Sequence, residues 1–269
     1  MTPFRFFGGI DFSGAREPLS NLWSALGEER DGRLHILWLQ PHPFRADLRA
    51  YVGSGWRRVA GVDGDVPALW GADFPFGLPA AACDQLAAGR RASWAATAAW
   101  VADRPADEVR STFPAMGKLP RGTDTNGAMA PFDLRLYRQT VEGLRWLHEL
   151  RDEAEVAILP QAPAESAPTT LLEVYPSLAV KDLGMKGSRV PSRPGEVRAR
   201  PAALRTWFSF EHPSLEVIAC TLEDARDACI AALVAWHCRA DLGQPARVAR
   251  IPEDQQRLEG WIYRPPMAL

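Results

Sequence analysis

Lysine is almost missing from this chain of 269 residues: only Lys118, Lys181 and Lys186 occur, so arginine supplies nearly all of the positive charge. Nor is that charge in surplus. The 31 basic residues face 33 acidic ones, for a net charge of −2. No global positive field exists to draw the chain onto nucleic acid or a membrane. A nucleic-acid substrate would therefore need a local basic patch or a metal ion. Cysteine is sparse as well. Cys83, Cys220, Cys229 and Cys238 include no C-x-x-C pair, so neither a zinc site nor a dithiol redox motif is indicated. Cys229 and Cys238 lie in an apolar helical stretch and read as core residues. No apolar run approaches the ~18 residues of a membrane span. The opening MTPFRFFGG has no basic segment followed by a long apolar run, so no signal peptide is expected. These absences predict a soluble, cytoplasmic protein with no membrane partner. They leave its oligomeric state open.

What is present suffices for a large core. Apolar residues make up 46% of the chain and charged residues 24%, as in ordinary globular proteins. The length fits one large α/β domain or two small ones. Phe4 to Asp11, FRFFGGID, reads as a buried strand closed by an acid. Asn21 to Gly27 and Arg33 to Gln40 read as the next two strands, with Asp31-Gly32 at the tip of the hairpin between them. Pro43 to Tyr51 is expected to be helical, with Pro43 in the first turn. Ala68 to Asp73, ALWGAD, repeats the pattern of a buried strand ending in an acid, and the stiff loop FPFGLP follows. The Ala-rich stretch 79–102 reads as helix and 112–130 as loop. Pro131 to Glu155 reads as a long amphipathic helix. The stretch QAPAESAPTT is expected to be a surface loop, Leu171 to Tyr175 a short strand, and 185–200 a mobile basic loop. Leu222 to Arg239 is a strong helix, and the tail EGWIYRPP is a candidate edge strand. With no internal repeat and no clear linker, this order suits a single domain over 1–269. It would be a mixed sheet covered by helices, with a helical insertion at roughly 79–155.

The candidate chemistry is acidic. Asp11 and Asp73 each close an apolar strand, a position from which a carboxylate can reach a ligand; a turn-forming Asp is the plainer reading of either. Glu173, between Leu172 and Val174 in a short strand, points to the opposite face from both, toward a site or toward solvent. Asp224 and Asp227, three residues apart, share one face of the last long helix. Thr221-x-x-Asp224 has the form of a capping box, with Asp224 as its third helical residue. Asp227 has no such role. Ala228, Ala231, Ala232 and Ala235 follow it and would let that helix lie close against a sheet. An acid on the inner face of such a helix is costly to bury unless paired or bound to a cation. Carboxylates gathered from separate elements suit a hard cation such as Mg²⁺ or Mn²⁺. The five histidines show no ligand spacing.

The segments GIDFSGA (9–15), GADFPFGLP (71–79), LPRGTD (119–124), LEVYPSLAVKDLG (172–184), DARDACIAALVAW (224–236) and EGWIY (259–263) resemble, in order, the domain of unknown function 429 family. That family is described as predicted nucleases of RNase H fold. The acidic pattern is also similar to that of RuvC-type Holliday junction resolvases. The resemblance implies an RNase H-like domain and a metal-dependent hydrolase acting on nucleic acid. Asp11 would be the central metal ligand, with Asp73 and Asp227 beside it and Asp224 adjacent as a further catalytic acid. Glu173 would be a lesser metal ligand. Ser13, Arg121, Asp124 and Lys186 would be substrate-binding candidates. The stretch KDLGMKGSRVPSRPGEVRAR offers a local basic patch, which counters the low net charge only weakly. Two other functions stay open. One is a non-catalytic binding module on the same fold. The other is an ATP-dependent phosphotransferase of the actin or sugar-kinase type, disfavoured by the lack of a second copy of the core.

Overall fold

The computed structural model describes residues 4–15, 21–64, 66–124, 127–152, 156–164, 166–193 and 196–265. It begins with an antiparallel meander of β1 (Phe6–Asp11), β2 (Trp23–Arg30) and β3 (Arg33–Pro41). Asp31 and Gly32 both adopt positive φ, 53° and 71°, which is what a tight two-residue hairpin demands. Helix α1 (Arg45–Ala50) runs through a wide turn at Tyr51–Gly55 into α2 (Trp56–Ala60), and β4 (Ala68–Asp73) follows. The insertion comprises α3 (Ala80–Ala87), α4 (Trp94–Ala102), α5 (Ala106–Thr112) and α6 (Tyr137–Arg151). Next come β5 (Val156–Leu159), β6 (Thr169–Glu173), α7 (Pro176–Asp182), β7 (Val190–Arg193), β8 (Glu196–Arg198) and α8 (Pro201–Arg205). Then β9 (Phe208–Phe210), α9 (Pro213–Thr221), α10 (Glu223–Cys238) and α11 (Glu253–Glu259) complete the described elements.

Seven strands form one mixed sheet in the order β5-β6-β4-β1-β2-β3-β9, and only β2 runs against the others. Helices cover both faces, so the chain is an α/β protein. Side chains alternate across a strand, and here the alternation builds two cores. Phe6, Ile10, Trp70, Ala72 and Leu171 join the core under the insertion. Phe7, Leu69 and Leu172 join the core under α10. No helix among the described residues is long and apolar enough to cross a membrane.

Several expected elements differ. The stretch 79–102 is two helices, because Ala88 (φ 49°) and Gly89 (φ 84°) turn left-handed and stop the first. The helix expected over 131–155 is shorter, Tyr137–Arg151. The basic stretch 185–200, expected to be a mobile loop, contains the paired strands β7 and β8. The tail makes a single bridge, Tyr263 to Val174, in place of an edge strand. Thr221 and Asp224 form no capping box. Helix α9 runs almost directly into α10, so Thr221 is the last residue of α9. Its hydroxyl donates back to the Val217 carbonyl at 2.7 Å, and Asp224 is left free of a capping role.

Candidate functional site: an acidic cluster at the strand ends

Asp11 and Asp73 are direct partners in the parallel register of β1 and β4. They stand two positions beyond Gly9 and Gly71, so strand alternation sends both carboxylates to the α10 face. The same glycines bring α10 in. A Cβ at Gly9 would lie 2.0 Å from the Ala228 carbonyl oxygen, and one at Gly71 would lie 2.5 Å from that of Ala231. Strand backbone and helix backbone therefore touch, with alanine on the helix side. Asp227 lies one turn before Ala231 on this inner face and is carried over the ends of β1 and β4. Asp224 sits in the first turn of α10, where the helix dipole favours an acid.

The fields of these groups show how closely they gather. The Asp11 carboxyl is held well above the usual carboxylate range, first by burial and then by the charges of Asp227, Asp73 and Asp224. Asp73 is raised by burial and by Asp227, with a further push from Glu173. Asp227 is raised to about 6, again mainly by burial, against the pull of Arg189 and Arg226. Burial and Glu223 raise Asp224. Like charges crowded together raise one another in this way.

One cation meets this charge directly. Arg189, just before β7, donates to Oδ1 of Asp227 at 2.6 Å and also to Oδ2, and to Oε1 of Glu223 at 2.6 Å. Its field lowers the pKa of both Asp11 and Asp73. The donor set is all carboxylate oxygen from three elements, which suits a hard divalent cation. As the side chains lie, with Arg189 among them, no group of three His, Cys, Asp or Glu residues among the described residues forms a ready ion cage.

Glu173 does not join the cluster. It pairs in register with Ala72, and Ala72 faces the insertion core, so the Glu173 side chain lies on the opposite side of the sheet from α10. Nor does it face solvent, being 2% exposed. It is held by Arg121, which donates to Oε2 at 2.6 Å and also to Oε1, and by the Phe76 amide at 2.9 Å. Arg121 also bonds Asp124 Oδ1 at 2.7 Å and the Glu259 carbonyl at 2.8 Å. Glu259 in turn accepts from the amides of Ala80 and Thr123. Arg121, expected at the substrate with Asp124, thus holds Asp124 and Glu173 together, and all three line the cleft beside Asp73. Ser13 accepts from the Ala15 amide at 3.2 Å, and Lys186 is exposed.

A cleft with room for about 110 Å³ of water-sized molecules opens beside Asp73, lined also by Arg121, Asp124, Gln139, Glu173 and Tyr175. Gln139 donates to the Asp73 carbonyl at 2.5 Å and fixes that strand end. Sequence reasoning placed Arg189 only in a basic patch and missed Glu223 and Gln139. An arginine in a basic loop carries no mark of the acid it will meet.

No curated protein and no solved structure matches the chain. A family model described as Protein of unknown function (DUF429) matches residues 9–257. The chain belongs to that family, the one its motifs resemble.

Proposed function

We propose that this member of the family is a divalent-metal-dependent hydrolase of phosphodiester bonds, a nuclease on an RNase H-like core. The observation that carries the reading is the meeting of Asp11, Asp73 and Asp227 from two strands and a helix: Asp11 and Asp73 are partners in the β1–β4 register, and the charge of Asp227 raises both. Charges brought together at such a cost mark a site selected for something other than stability. The meander β1–β3 beside parallel β4 supports the RNase H-like part of the reading. Asp11, Asp73 and Asp227 are the residues that would hold Mg²⁺ or Mn²⁺, with Asp224 beside them. What the ion supplies when bound is Lewis acidity, which makes water nucleophilic at neutral pH and offsets charge on the leaving oxygen.

The chain's own part is positioning. The β1–β4 register fixes the spacing of Asp11 and Asp73, the Gly9 and Gly71 contacts fix the height of Asp227, and the cleft beside Asp73 gives a substrate its approach. Incubation with DNA, RNA and branched substrates in Mg²⁺ or Mn²⁺ tests the reading. Cleavage is expected, and it should vanish in a folded Asp11→Asn variant. No cleavage across that panel would sink it. A non-catalytic binding module is favoured by one observation, the Arg189 pairing that already balances Asp227; that reading expects no divalent-ion binding.

A further inference from the structure

Arg189 is an unusual partner for Asp227. It comes from the arm between α7 and β7, outside the main sheet, and its side chain is still 24% exposed. Two of its nitrogens are spent on Asp227 and Glu223, while Nε has no hydrogen-bond partner. The arm also carries Lys186, and Arg198 and Arg200 follow on the return strand and just beyond it, all three exposed. Arg121, by contrast, is sealed, with its side chain 1% exposed and its bonds divided among three residues. Arg189 is therefore placed to leave its partner, and Arg121 is not. A guanidinium fork that fits a carboxylate with two bonds fits a phosphate equally well.

We propose that Arg189 is the phosphodiester-binding residue of the site, parked on Asp227 and Glu223 until a divalent cation occupies the acids. The inference rests on the metal-dependent reading above. When an ion takes up the charge of Asp11, Asp73 and Asp227, the pull of Asp227 on Arg189 is lost and only the part-exposed Glu223 still holds it. The Nη2 end released by Asp227 then turns to a substrate phosphate beside Asp73, while Nη1 stays on Glu223.

Two binding measurements test this without turnover. In the first, Mn²⁺ alone is titrated into wild type, Arg189→Ala, Arg189→Lys and Asp11→Asn, with free Mn²⁺ read by electron paramagnetic resonance. Removal of the competing guanidinium is expected to tighten Mn²⁺ binding at least tenfold in Arg189→Ala, with Arg189→Lys between it and wild type. In the second, a short fluorescent single-stranded oligonucleotide is titrated in Ca²⁺. Wild type is expected to bind, and Arg189→Ala to bind at least tenfold more weakly despite its tighter hold on the ion. These opposite shifts are the signature, because a merely structural arginine would weaken both. Equal or weaker Mn²⁺ binding in Arg189→Ala overturns the parked state while leaving the metal site standing. Unchanged or absent oligonucleotide binding overturns the phosphate role. If wild type and Arg189→Ala both fail to bind Mn²⁺, the metal-dependent reading falls and this inference falls with it. Circular dichroism melting of each variant shows that it is folded.

Discussion

Two sets of buried carboxylates stand near the same end of the sheet, on opposite faces, and they are solved in opposite ways. On the insertion face, Glu173, Asp124 and Glu259 surround Arg121, and amides of Phe76, Ala80 and Thr123 fill the acceptors that remain. On the α10 face, Asp11 and Asp73 push against Asp227, and the guanidinium hydrogen-bonded to Asp227, that of Arg189, is partly exposed. The first set ties the loop after β4 and the end of α11 to β6. The second stores repulsion. Burial alone does not mark a functional acid; what separates the two is whether the charge has been answered.

The sharpest way to break the contrast is Arg121→Ala. Removing the cation leaves Glu173 buried beside Asp124 without compensation, a change that costs on the order of 3–5 kcal/mol. Urea unfolding should register the loss, and a cost below about 1 kcal/mol would mean that the network is not structural. Next in size is Gly9→Val, which forces a side chain into the backbone of α10. A destabilisation of about 1–3 kcal/mol is expected from overpacking. Because α10 must move, divalent-ion binding should weaken as well, read by calorimetry.

On the acid cluster the sign reverses. Asp11→Asn removes one of the mutually repelling charges and should stabilise the fold, read as a higher urea midpoint, while abolishing divalent binding. Loss of stability would show that Asp11 is a satisfied structural acid. A pH tilt is expected from the same cluster. The Asp227 pKa is raised to about 6 in the fold, against about 3.9 in an unfolded chain. Both states are protonated below that lower value, and only the fold keeps the proton between the two. The penalty is therefore absent in acid, grows through this window and is complete above the folded pKa. The gap between the two pKa values is worth about 3 kcal/mol, so the melting temperature of wild type should fall by about 6–11 °C across the window, relative to Asp227→Asn. A rise would contradict the cluster's electrostatics.

Local rules read much of this fold. Continuous apolar runs closed by an acid gave β1 and β4, and Asp31-Gly32 placed the hairpin turn. The alanine run in α10 gave a helix pressed on the sheet. The misses share one cause. Strands β5 and β9 are four and three residues long and owe their form to the edges they join. The Thr221 capping signal failed because the preceding helix, invisible to that short motif, claimed the hydroxyl. Family membership, carried by motifs spread along the chain, was legible as well.

The sequence by itself determined that Asp11 and Asp73 close apolar strands, and that Asp227 precedes small residues able to approach a sheet. Those are properties of short segments, set by side-chain period and size. Only the tertiary structure decided which acids meet. The β1–β4 register aligned Asp11 with Asp73, and the β4–β6 register turned Glu173 to the other face, since a shift of one residue reverses every side chain. The fold likewise chose Arg189 for Asp227 and Arg121 for Glu173, across 38 and 52 residues of chain. Such pairings follow from packing at a distance, where no local pattern tells one arginine from another.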